Sequence, residues 1–308
     1  MIVHEFDYQS KGLKADLALC LGFFDGVHRA HQKLMQDTLS YGNSLGVETA
    51  IMTFSTHIGS YIANREFKAL SLLDDKIRIA REMGFDHFYI IRVSEELVRM
   101  APESFIERFL MSSRRVIVGF DYTFGAKGRG DVAMLQRWLP DKVHVVLEMD
   151  YYGKKIGSSR VRRALSKGRI SLANRMLGGA YQIHGTVIKG HGRGKDLGFP
   201  TANIAYNGYF LPKHGVYHTE VVLRGKVMHS MSNIGCNPTF HNREVTLETH
   251  IFDFDDSIYG ESITLRFKQY IRPEMVFDST QALIAQMAHD EEVIKKAISQ
   301  EVSNEEIR

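Results

Sequence analysis

The segment from residue 190 to residue 203 combines closely spaced glycines with basic and oxygen-bearing side chains. Its glycines are Gly190, Gly192, Gly194 and Gly198, its basic residues are Arg193 and Lys195, and its oxygen donors are Thr201 and Asn203. Glycines let a ligand approach backbone N–H groups, which bind phosphate oxygens, whereas hydroxyl and amide oxygens suit Mg²⁺. The segment therefore indicates binding of ATP with its metal, although its glycine content alone is equally consistent with a flexible surface hairpin.

A second group of residues, between positions 22 and 31, also suits phosphate chemistry. A turn containing Gly22 and Asp25 follows an apolar run and precedes His28 and His31. Histidines three positions apart share one helix face, and near a helix N-terminus they lie where backbone N–H groups favour anions. Imidazoles placed there can stabilise phosphate charge during an in-line displacement. An isolated pair with this spacing is more often a helix cap and a packed side chain, but the preceding Gly-x-Phe-Asp-Gly makes the phosphate interpretation more specific.

In the first half of the chain, which contains the residues between positions 22 and 31, strand-like apolar runs alternate with segments of helical periodicity. Predicted strands cover 17–22, 48–54, 87–92, 115–118 and 143–149, and helical periodicity covers 31–39, 74–83, 103–110, 132–138, 160–165 and 172–177. Such alternation predicts an α/β domain with a parallel sheet, helices on both faces, and ligands at the carboxyl ends of the strands.

The pattern changes near residue 180. Strand-like runs separated by turn residues cover 181–188, 215–223, 227–234, 246–252 and 262–267, and an apolar stripe through Leu283, Met287, Val293 and Ala297 predicts a closing helix over 280–299. This spacing predicts an antiparallel barrel or sandwich. We therefore expect one domain over residues 1–180 and a second over residues 181–308.

Length and composition limit the classes of protein. The chain has 308 residues, which is enough for two domains, and its 44% hydrophobic and 24% charged residues are typical of globular proteins. A net charge of +3 suits anionic small molecules and falls short of the strongly basic signature of nucleic-acid-binding proteins. The sequence shows no signal segment and no run of 18 apolar residues, which predicts a cytoplasmic protein without membrane partners and excludes a transporter.

Motifs of the first domain resemble those of one family. Residues 22–31 are similar to the G-x-F-D-G-x-H-x-G-H signature of the bacterial bifunctional riboflavin kinase/FAD synthetases, and residues 53–57, 119–125 and 157–162 resemble their T-F-x-P-H-P, G-x-D-F-x-F-G and S-S-T-x-I-R motifs. The resemblance implies a Rossmann-like nucleotidyltransferase domain in which the phosphate of FMN attacks the α-phosphorus of ATP, giving FAD and pyrophosphate.

The same resemblance assigns roles to residues of this domain. It places His28 and His31 at the transferring and leaving phosphates as catalytic residues. It implies nucleotide or flavin contacts for Gly22, Phe24, Asp25, His57, Asp121, Ser158, Ser159 and Arg162. The chain departs from the family pattern at Ala30, which replaces the glycine of H-x-G-H, at Thr56 and Ile58, which replace two prolines, and at Gly157, which replaces a serine.

The second domain carries a longer series of family motifs. Residues 190–203 resemble G-x-G-R-G-x-x-L-G-F-P-T-A-N, and further similarities follow at 212–217, 233–240, 247–254, 259–260 and 271–277. The resemblance implies an antiparallel β-barrel riboflavin kinase domain with a C-terminal helix, in which Mg·ATP phosphorylates the terminal ribityl hydroxyl of riboflavin to give FMN. It assigns the general base to Glu248, the metal and phosphates to Thr201 and Asn203, and the flavin end to Arg272. It also implies ATP contacts for Gly190, Gly192, Arg193, Gly194, Lys195 and Pro200.

Three hypotheses follow from the sequence. The first is a bifunctional enzyme that uses ATP, Mg²⁺, riboflavin and FMN and has neither nucleic-acid nor membrane partners. The second is a riboflavin kinase whose adenylyltransferase is weakened or inactive, and Ala30 is the reason to consider it. The third is a non-catalytic flavin-binding regulatory protein, against which Glu248, Thr201 and Asn203 argue because binding alone requires no base. The sequence predicts nothing about oligomeric state.

Overall fold

The computed structural model describes residues 1–10, 12–190, 194, 197–236 and 245–305. The chain divides into two compact units, Met1–Ser158 and Ser159–Arg308. The second unit includes the two helices that follow Ser158, and the later of these packs on strands of the barrel. The domain boundary near residue 180 stays a prediction.

The first unit contains a six-stranded parallel sheet, as the alternating pattern predicted. Its strands are β1 (Ile2–Phe6), β2 (Ala18–Leu21), β3 (Thr49–Phe54), β4 (His87–Ile91), β5 (Arg115–Gly119) and β6 (Val143–Val146). The order across the sheet is β1-β4-β3-β2-β5-β6, and every neighbouring pair is parallel. Strand β1 was not predicted. It forms one edge of the sheet, where Ile2 is 59% exposed.

Helices cover both faces of this sheet. They are α1 (Arg29–Leu45), α2 (Ile58–Ile62), α3 (Leu73–Met83), α4 (Glu95–Arg99), α5 (Pro102–Phe105) and α6 (Val132–Trp138), with a π-helical turn at Ile106–Leu110 and a 3₁₀ turn at Ala126–Gly128. Successive residues of β2 point to opposite faces, so Leu19 packs in one apolar cluster with Phe109, and Cys20 packs in the other with Leu34 of α1. This arrangement leaves the carboxyl ends of the strands to carry polar groups.

The second unit is a closed antiparallel barrel, which decides between the predicted barrel and sandwich. It begins with helices α7 (Ser158–Leu165) and α8 (Ile170–Leu177), continues with strands β7 (Tyr181–Ile188), β8 (Ala202–Ala205), β9 (Gly215–Leu223), β10 (Lys226–Cys236), β11 (Val245–Ile251) and β12 (Ser262–Arg272), and ends with helix α9 (Thr280–Glu305). The strand order around the barrel is β10-β11-β8-β7-β12-β9. Large side chains such as Tyr217 and Phe267 fill its interior.

Helix α9 packs against the outer face of the barrel. Ile294 of this helix is fully buried in an apolar cluster with Val216, Met231 and Phe252 of the barrel unit. The predicted stripe was wrong at Val293, which is 37% exposed, because the buried position is the next residue. The space left between α9 and the barrel contains the first candidate site.

Candidate active sites

The first site is built around Glu248 on strand β11. In the strand register Glu248 lies directly opposite Asn203 of β8 on one side and Asn233 of β10 on the other. Directly opposed residues of antiparallel strands share one face, so two amides flank the carboxylate. Thr201 donates its Oγ1–H to Glu248 Oε2 at 3.4 Å, and Thr246 Oγ1 lies 3.5 Å from Oε1. The structure thus brings the predicted Glu248, Thr201 and Asn203 together.

A cavity of about 380 Å³ adjoins this carboxylate. Thr201, Glu248 and Gly194 line one part, and Arg272 lies in the same lining. The apolar wall consists of Leu197, Val216, Met231, Phe277, Leu283 and Met287. Such a cavity, apolar with a few convergent polar groups, suits a planar ring that carries a polar chain.

Arg272 is fixed by an acidic residue of helix α9 that the sequence analysis missed. The Arg272 Nε–H donates to both carboxylate oxygens of Asp290, at 3.1 and 2.8 Å, and Nη2 lies 2.8 Å from Oδ2. Asp290 is only 1% exposed and also accepts from Gln286 Nε2 at 2.9 Å. A signal was present in the sequence, because Asp290 falls on the apolar stripe of Leu283 and Met287, where a carboxylate needs a partner.

The glycines of the predicted ATP loop are explained by close approach at two positions. A Cβ added at Gly190 would lie 2.0 Å from Asn203 Nδ2, and one added at Gly194 would lie 2.3 Å from the carbonyl oxygen of Phe199. The next residue, Pro200, accepts a hydrogen bond at its carbonyl from His250 Nδ1 at 2.8 Å. The loop glycines therefore keep Asn203 and Thr201 in place, and Gly192, Arg193 and Lys195 lie outside the described residues.

Gly190→Ala is expected to lower kcat/KM for ATP in riboflavin phosphorylation. The added methyl group displaces the Asn203 amide, and a 1 Å misplacement in an active site can reduce the rate by ~10²-fold. Gly179→Ala serves as the matched control, because a Cβ there would meet nothing within 4 Å. Steady-state kinetics of both variants test this, and equal kinetics for the two would exclude a role for the close approach.

The second site lies at the turn between β2 and α1. The buried Asp25 accepts the backbone N–H of Leu70 at 2.8 Å through Oδ1, and its carbonyl accepts Ser158 Oγ–H at 2.8 Å. Phe24 and Val27 have positive φ values of 55° and 39°, a region that side chains rarely adopt. Backbone strain of this kind persists only when surrounding contacts hold it, and it is concentrated at functional sites.

His28 and His31 follow this turn as a stacked pair. Their ring centroids are 3.6 Å apart with 14° between planes, and His28 Nδ1 accepts the backbone N–H of His31 at 3.4 Å as the N-cap of α1. Because Nδ1 is an acceptor, the neutral His28 ring carries its proton on Nε2. Phe24, which is 2% exposed, packs edge-on against His31, and a side chain at Gly22 would collide with the Phe24 ring.

Burial keeps both imidazoles neutral near pH 7. It lowers the pKa of His28 to about 4, against a smaller opposing effect of Asp25. Burial, followed by the proximity of His28 and Lys76, lowers the pKa of His31 well below its ordinary value. In this state the pair offers N–H donors to a phosphate without full positive charge.

Other predicted residues of this site have structural partners of their own. His57 caps α2 by accepting the Ser60 N–H at 3.2 Å, and its ring stacks on Phe67 at 4.6 Å. Asp121 is exposed and forms an ion pair with Lys155. Their roles toward nucleotide and flavin stay predictions.

Ser159 and Arg162 belong to the second unit. Both lie on helix α7, where Ser159 is exposed and the Arg162 guanidinium lies 5.0 Å from the ring centroid of Phe210. Ser158, by contrast, belongs to the first unit with His28. The phosphate-binding role of Ser159 and Arg162 stays a prediction.

Ala30→Gly is expected to raise the rate of adenylyl transfer. Ala30 is a half-buried residue in the first turn of α1, where its methyl group replaces the hydrogen of the glycine in the family motif H-x-G-H. A helical glycine also lowers stability by ~1 kcal/mol, so Ser40→Gly on the exposed side of α1 controls for that effect. An unchanged FMN adenylylation rate in Ala30→Gly would show that the methyl group is harmless.

Comparison with known proteins finds a separate family match for each half of the chain. A riboflavin kinase family model matches residues 177–298, and an FAD synthetase family model matches residues 10–160. Curated bifunctional riboflavin kinase/FMN adenylyltransferases are similar along their lengths. The protein from Listeria monocytogenes is 35% identical over 89% of this chain and 90% of its own, and that from Bacillus subtilis is 33% identical over 91% and 92%.

A solved structure shares the whole fold. It comes from Streptococcus pneumoniae, is described as a macrolide-efflux protein, and matches with a TM-score of 0.87 and 28% identity over 96% of this chain and 99% of its own. Among the described residues of the present chain, no helix is both long and apolar enough to span a membrane.

The parallel-sheet unit, the barrel unit and the two family matches define an enzyme class, transferases that use ATP to modify a flavin. The curated relatives specify both reactions. The chain belongs to the bifunctional riboflavin kinase/FMN adenylyltransferase family, and its substrates are riboflavin, FMN and ATP. The hypotheses of a lone kinase and of a non-catalytic flavin-binding protein are not favoured by these matches.

Proposed function

We propose that Glu248 is the general base of riboflavin phosphorylation and that His28 and His31 stabilise the phosphates during FMN adenylylation. The observation that carries the first assignment is the position of the Glu248 carboxylate, 3.4 Å from Thr201 Oγ1 and in register with Asn203 at the edge of the cavity. The second assignment rests on the stacked, neutral histidine pair at the start of α1.

Mg²⁺ fits the donor set of the kinase site. The Thr201 hydroxyl and the Asn203 amide are hard oxygen ligands, and both lie beside Glu248. That combination suits an ion held mainly by nucleotide phosphates and water, with a few protein oxygens. When bound, Mg²⁺ neutralises charge on the phosphates of ATP.

Glu248 accepts the proton of the ribityl hydroxyl as that oxygen attacks the γ-phosphorus. A new bond forms between the hydroxyl oxygen and phosphorus, and the bond to the β-phosphate oxygen breaks to release ADP. The Thr201 hydroxyl orients the carboxylate, and the Asp290 carboxylate orients Arg272 at the flavin end of the cavity. Positioning supplies most of the catalysis, because phosphoryl transfer needs little covalent help.

In the adenylyl site an oxygen of the FMN phosphate bonds to the α-phosphorus of ATP while pyrophosphate leaves. The Nε2–H of His28 donates to a phosphate oxygen, and the first N–H groups of α1 add donors in the same direction. The contacts of Asp25 with Leu70 and Ser158 hold the turn that precedes the pair.

One assay tests these assignments at the level of the whole enzyme. The purified chain is given Mg·ATP with either riboflavin or FMN, and the flavins are separated by chromatography. FMN from riboflavin and FAD from FMN are expected, and chelation of the metal should stop FMN formation. FMN without FAD would support the weakened adenylyltransferase, and flavin binding without turnover would support the regulatory hypothesis.

Three further proposals accompany the reactions. The domain boundary lies near residue 180, which the family matches at 10–160 and 177–298 support. The enzyme acts in the cytoplasm, where ATP is abundant, and it has neither nucleic-acid nor membrane partners. Transport is not proposed, because the curated relatives that match most of the chain are named for flavin chemistry.

A further inference from the structure

Lys76 of helix α3 is a buried cation that the proposed reactions do not yet use. It is 4% exposed, its Nζ donates to the carbonyl oxygen of Phe23 at 2.7 Å, and it lies 3.9 Å from the Phe23 ring centroid. Two carboxylates, Asp25 in the turn and Asp75 on its own helix, only partly offset the effect of this burial on the pKa of the ammonium group. Burial of a charged group is unfavourable even beside carboxylates, so a group of this kind indicates a function.

The contact with Phe23 places Lys76 at the turn that leads to His28. Three other hydrogen bonds connect this turn to the segment before α3: Leu70 N–H to Asp25 Oδ1 at 2.8 Å, Gly26 N–H to Ser71 Oγ at 2.9 Å, and Ser71 Oγ–H to the Phe24 carbonyl at 3.4 Å. Lys76 adds a fourth connection, from within the helix. The turn contains residues with positive φ, so these contacts hold a conformation that is unfavourable by itself.

The positive charge of Lys76 is a second and independent reason to connect this residue with adenylyl transfer. Adenylyl transfer concentrates negative charge on the phosphates, yet burial keeps both His28 and His31 neutral near pH 7. Lys76 is close enough to His31 for its charge to act on the pKa of that ring, after the larger effects of burial and of His28. The cation is therefore near His31, where it can offset charge that the histidine pair itself does not neutralise.

We propose that Lys76 is a positioning residue of the adenylyl site, which holds the Phe23 carbonyl and supplies positive charge near His31. This inference rests on the proposed role of His28 and His31 in FMN adenylylation. A purely structural role would require only the hydrogen bond, whereas the proposed role also requires the charge.

The charge requirement has a pH signature. Burial lowers the pKa of Lys76 to about 8, partly opposed by Asp25 in the turn and Asp75 on its own helix, while the neutral His31 faces it from α1. Lys76 loses its proton as the pH rises through about 8. The kcat/KM for adenylylation, which reports groups of the free enzyme, should fall over the same range. Arginine stays protonated there, so Lys76→Arg should remove the fall.

The experiment measures FAD formation from FMN and Mg·ATP between pH 6.5 and 9.5 in the full chain, a range of ~1.5 units on each side of the transition. Lys76→Met should lower kcat/KM at neutral pH by ~10²-fold, as expected when one preorganised electrostatic group is removed. Lys76→Arg should keep measurable activity with a flat alkaline profile. Lys33→Met is the matched control, because Lys33 belongs to the same unit, is half exposed and pairs with Asp37 on α1. Riboflavin phosphorylation by each variant provides an internal reference.

Either of two results overturns the inference: Lys76→Met with adenylylation close to that of the unchanged enzyme, or Lys76→Arg with the same alkaline fall. If Lys76→Met fails to fold, the pH profile of Lys76→Arg decides the question. His28→Asn in the same assay distinguishes a failure of the Lys76 inference from a failure of the proposed histidine site. An inactive His28→Asn beside an active Lys76→Met refutes only the role of Lys76, and a fully active His28→Asn refutes the proposed histidine site.

Discussion

Glu248→Gln is expected to reduce FMN formation by ~10³-fold, within the range typical of a lost general base, while FAD formation from supplied FMN continues. The amide has nearly the shape of the carboxylate and fits between Asn203 and Asn233, but it cannot take up the proton of the ribityl hydroxyl. Single-turnover measurements with riboflavin, and separate ones with FMN, give both rates in one preparation.

Two further variants make the Glu248 result interpretable. Glu261→Gln removes another carboxylate of the barrel unit, one that pairs with Arg224 away from the cavity, and should leave both reactions unchanged. Glu248→Asp keeps a base one methylene too short and should restore part of the rate. Equal loss of FMN and FAD formation in Glu248→Gln would contradict two separate sites.

His28→Asn is expected to lower FMN adenylylation by ~10²- to 10³-fold, the effect of removing one donor that stabilises transition-state charge. Asparagine is itself a favourable N-cap, so its side chain can still accept the His31 N–H and the start of α1 is preserved. The loss should therefore appear in kcat of FAD formation, with riboflavin phosphorylation unchanged.

His28→Ala is the companion variant, because it removes both the imidazole and the cap. If only the cap mattered, His28→Ala would be slow and His28→Asn would be as fast as the unchanged enzyme. If the Nε2–H matters, both variants are slow, and thermal unfolding of His28→Ala occurs at a lower temperature than that of His28→Asn. A similar loss of FMN formation in His28→Asn would argue against the assignment.

The fold class of each unit could be predicted from the spacing of its apolar residues, because this spacing follows the local secondary structure. Buried parallel strands are continuous apolar runs such as β2 and β4, and the barrel strands are short runs separated by turns. Strand β1 was not predicted because it is an edge strand in which the polar residues His4 and Glu5 interrupt the apolar run that marks a buried strand. The choice of barrel over sandwich required knowledge of which strands pair across the chain, which periodicity does not contain.

Sequence motifs were enough to select the candidate residues of the kinase site, because each of these residues lies inside a motif. Glu248, Thr201 and Asn203 were identified from motifs, and the strand register explains why they meet. The partners that hold functional residues were not predictable in the same way. Asp290 lies in helix α9, 18 residues from the Arg272 side chain that it holds, and Lys76 lies 53 residues from the Phe23 carbonyl that it contacts.

The glycines of the 190–198 loop are required for two different reasons. Glycine was expected both for positive φ and for close approach. Gly198 has a φ of 80° with no neighbour within 4 Å of an added Cβ, whereas Gly190 and Gly194 are required by contacts with Asn203 and with the backbone of Phe199. Sequence spacing cannot distinguish these two uses of glycine, because the contact partners are set by the folded loop.

The closed barrel limits how strand β11 can move Glu248 away from the cavity. Strand β11 is hydrogen-bonded to β10 on one side and to β8 on the other, so it has no free edge. A slip of one residue would turn Glu248 into the barrel interior and bring Leu247 or Thr249 to the cavity. Such a slip must break both ladders at once, so it is less favourable than a slip of a strand with one free edge. Glu248 therefore stays in register as long as the barrel is folded.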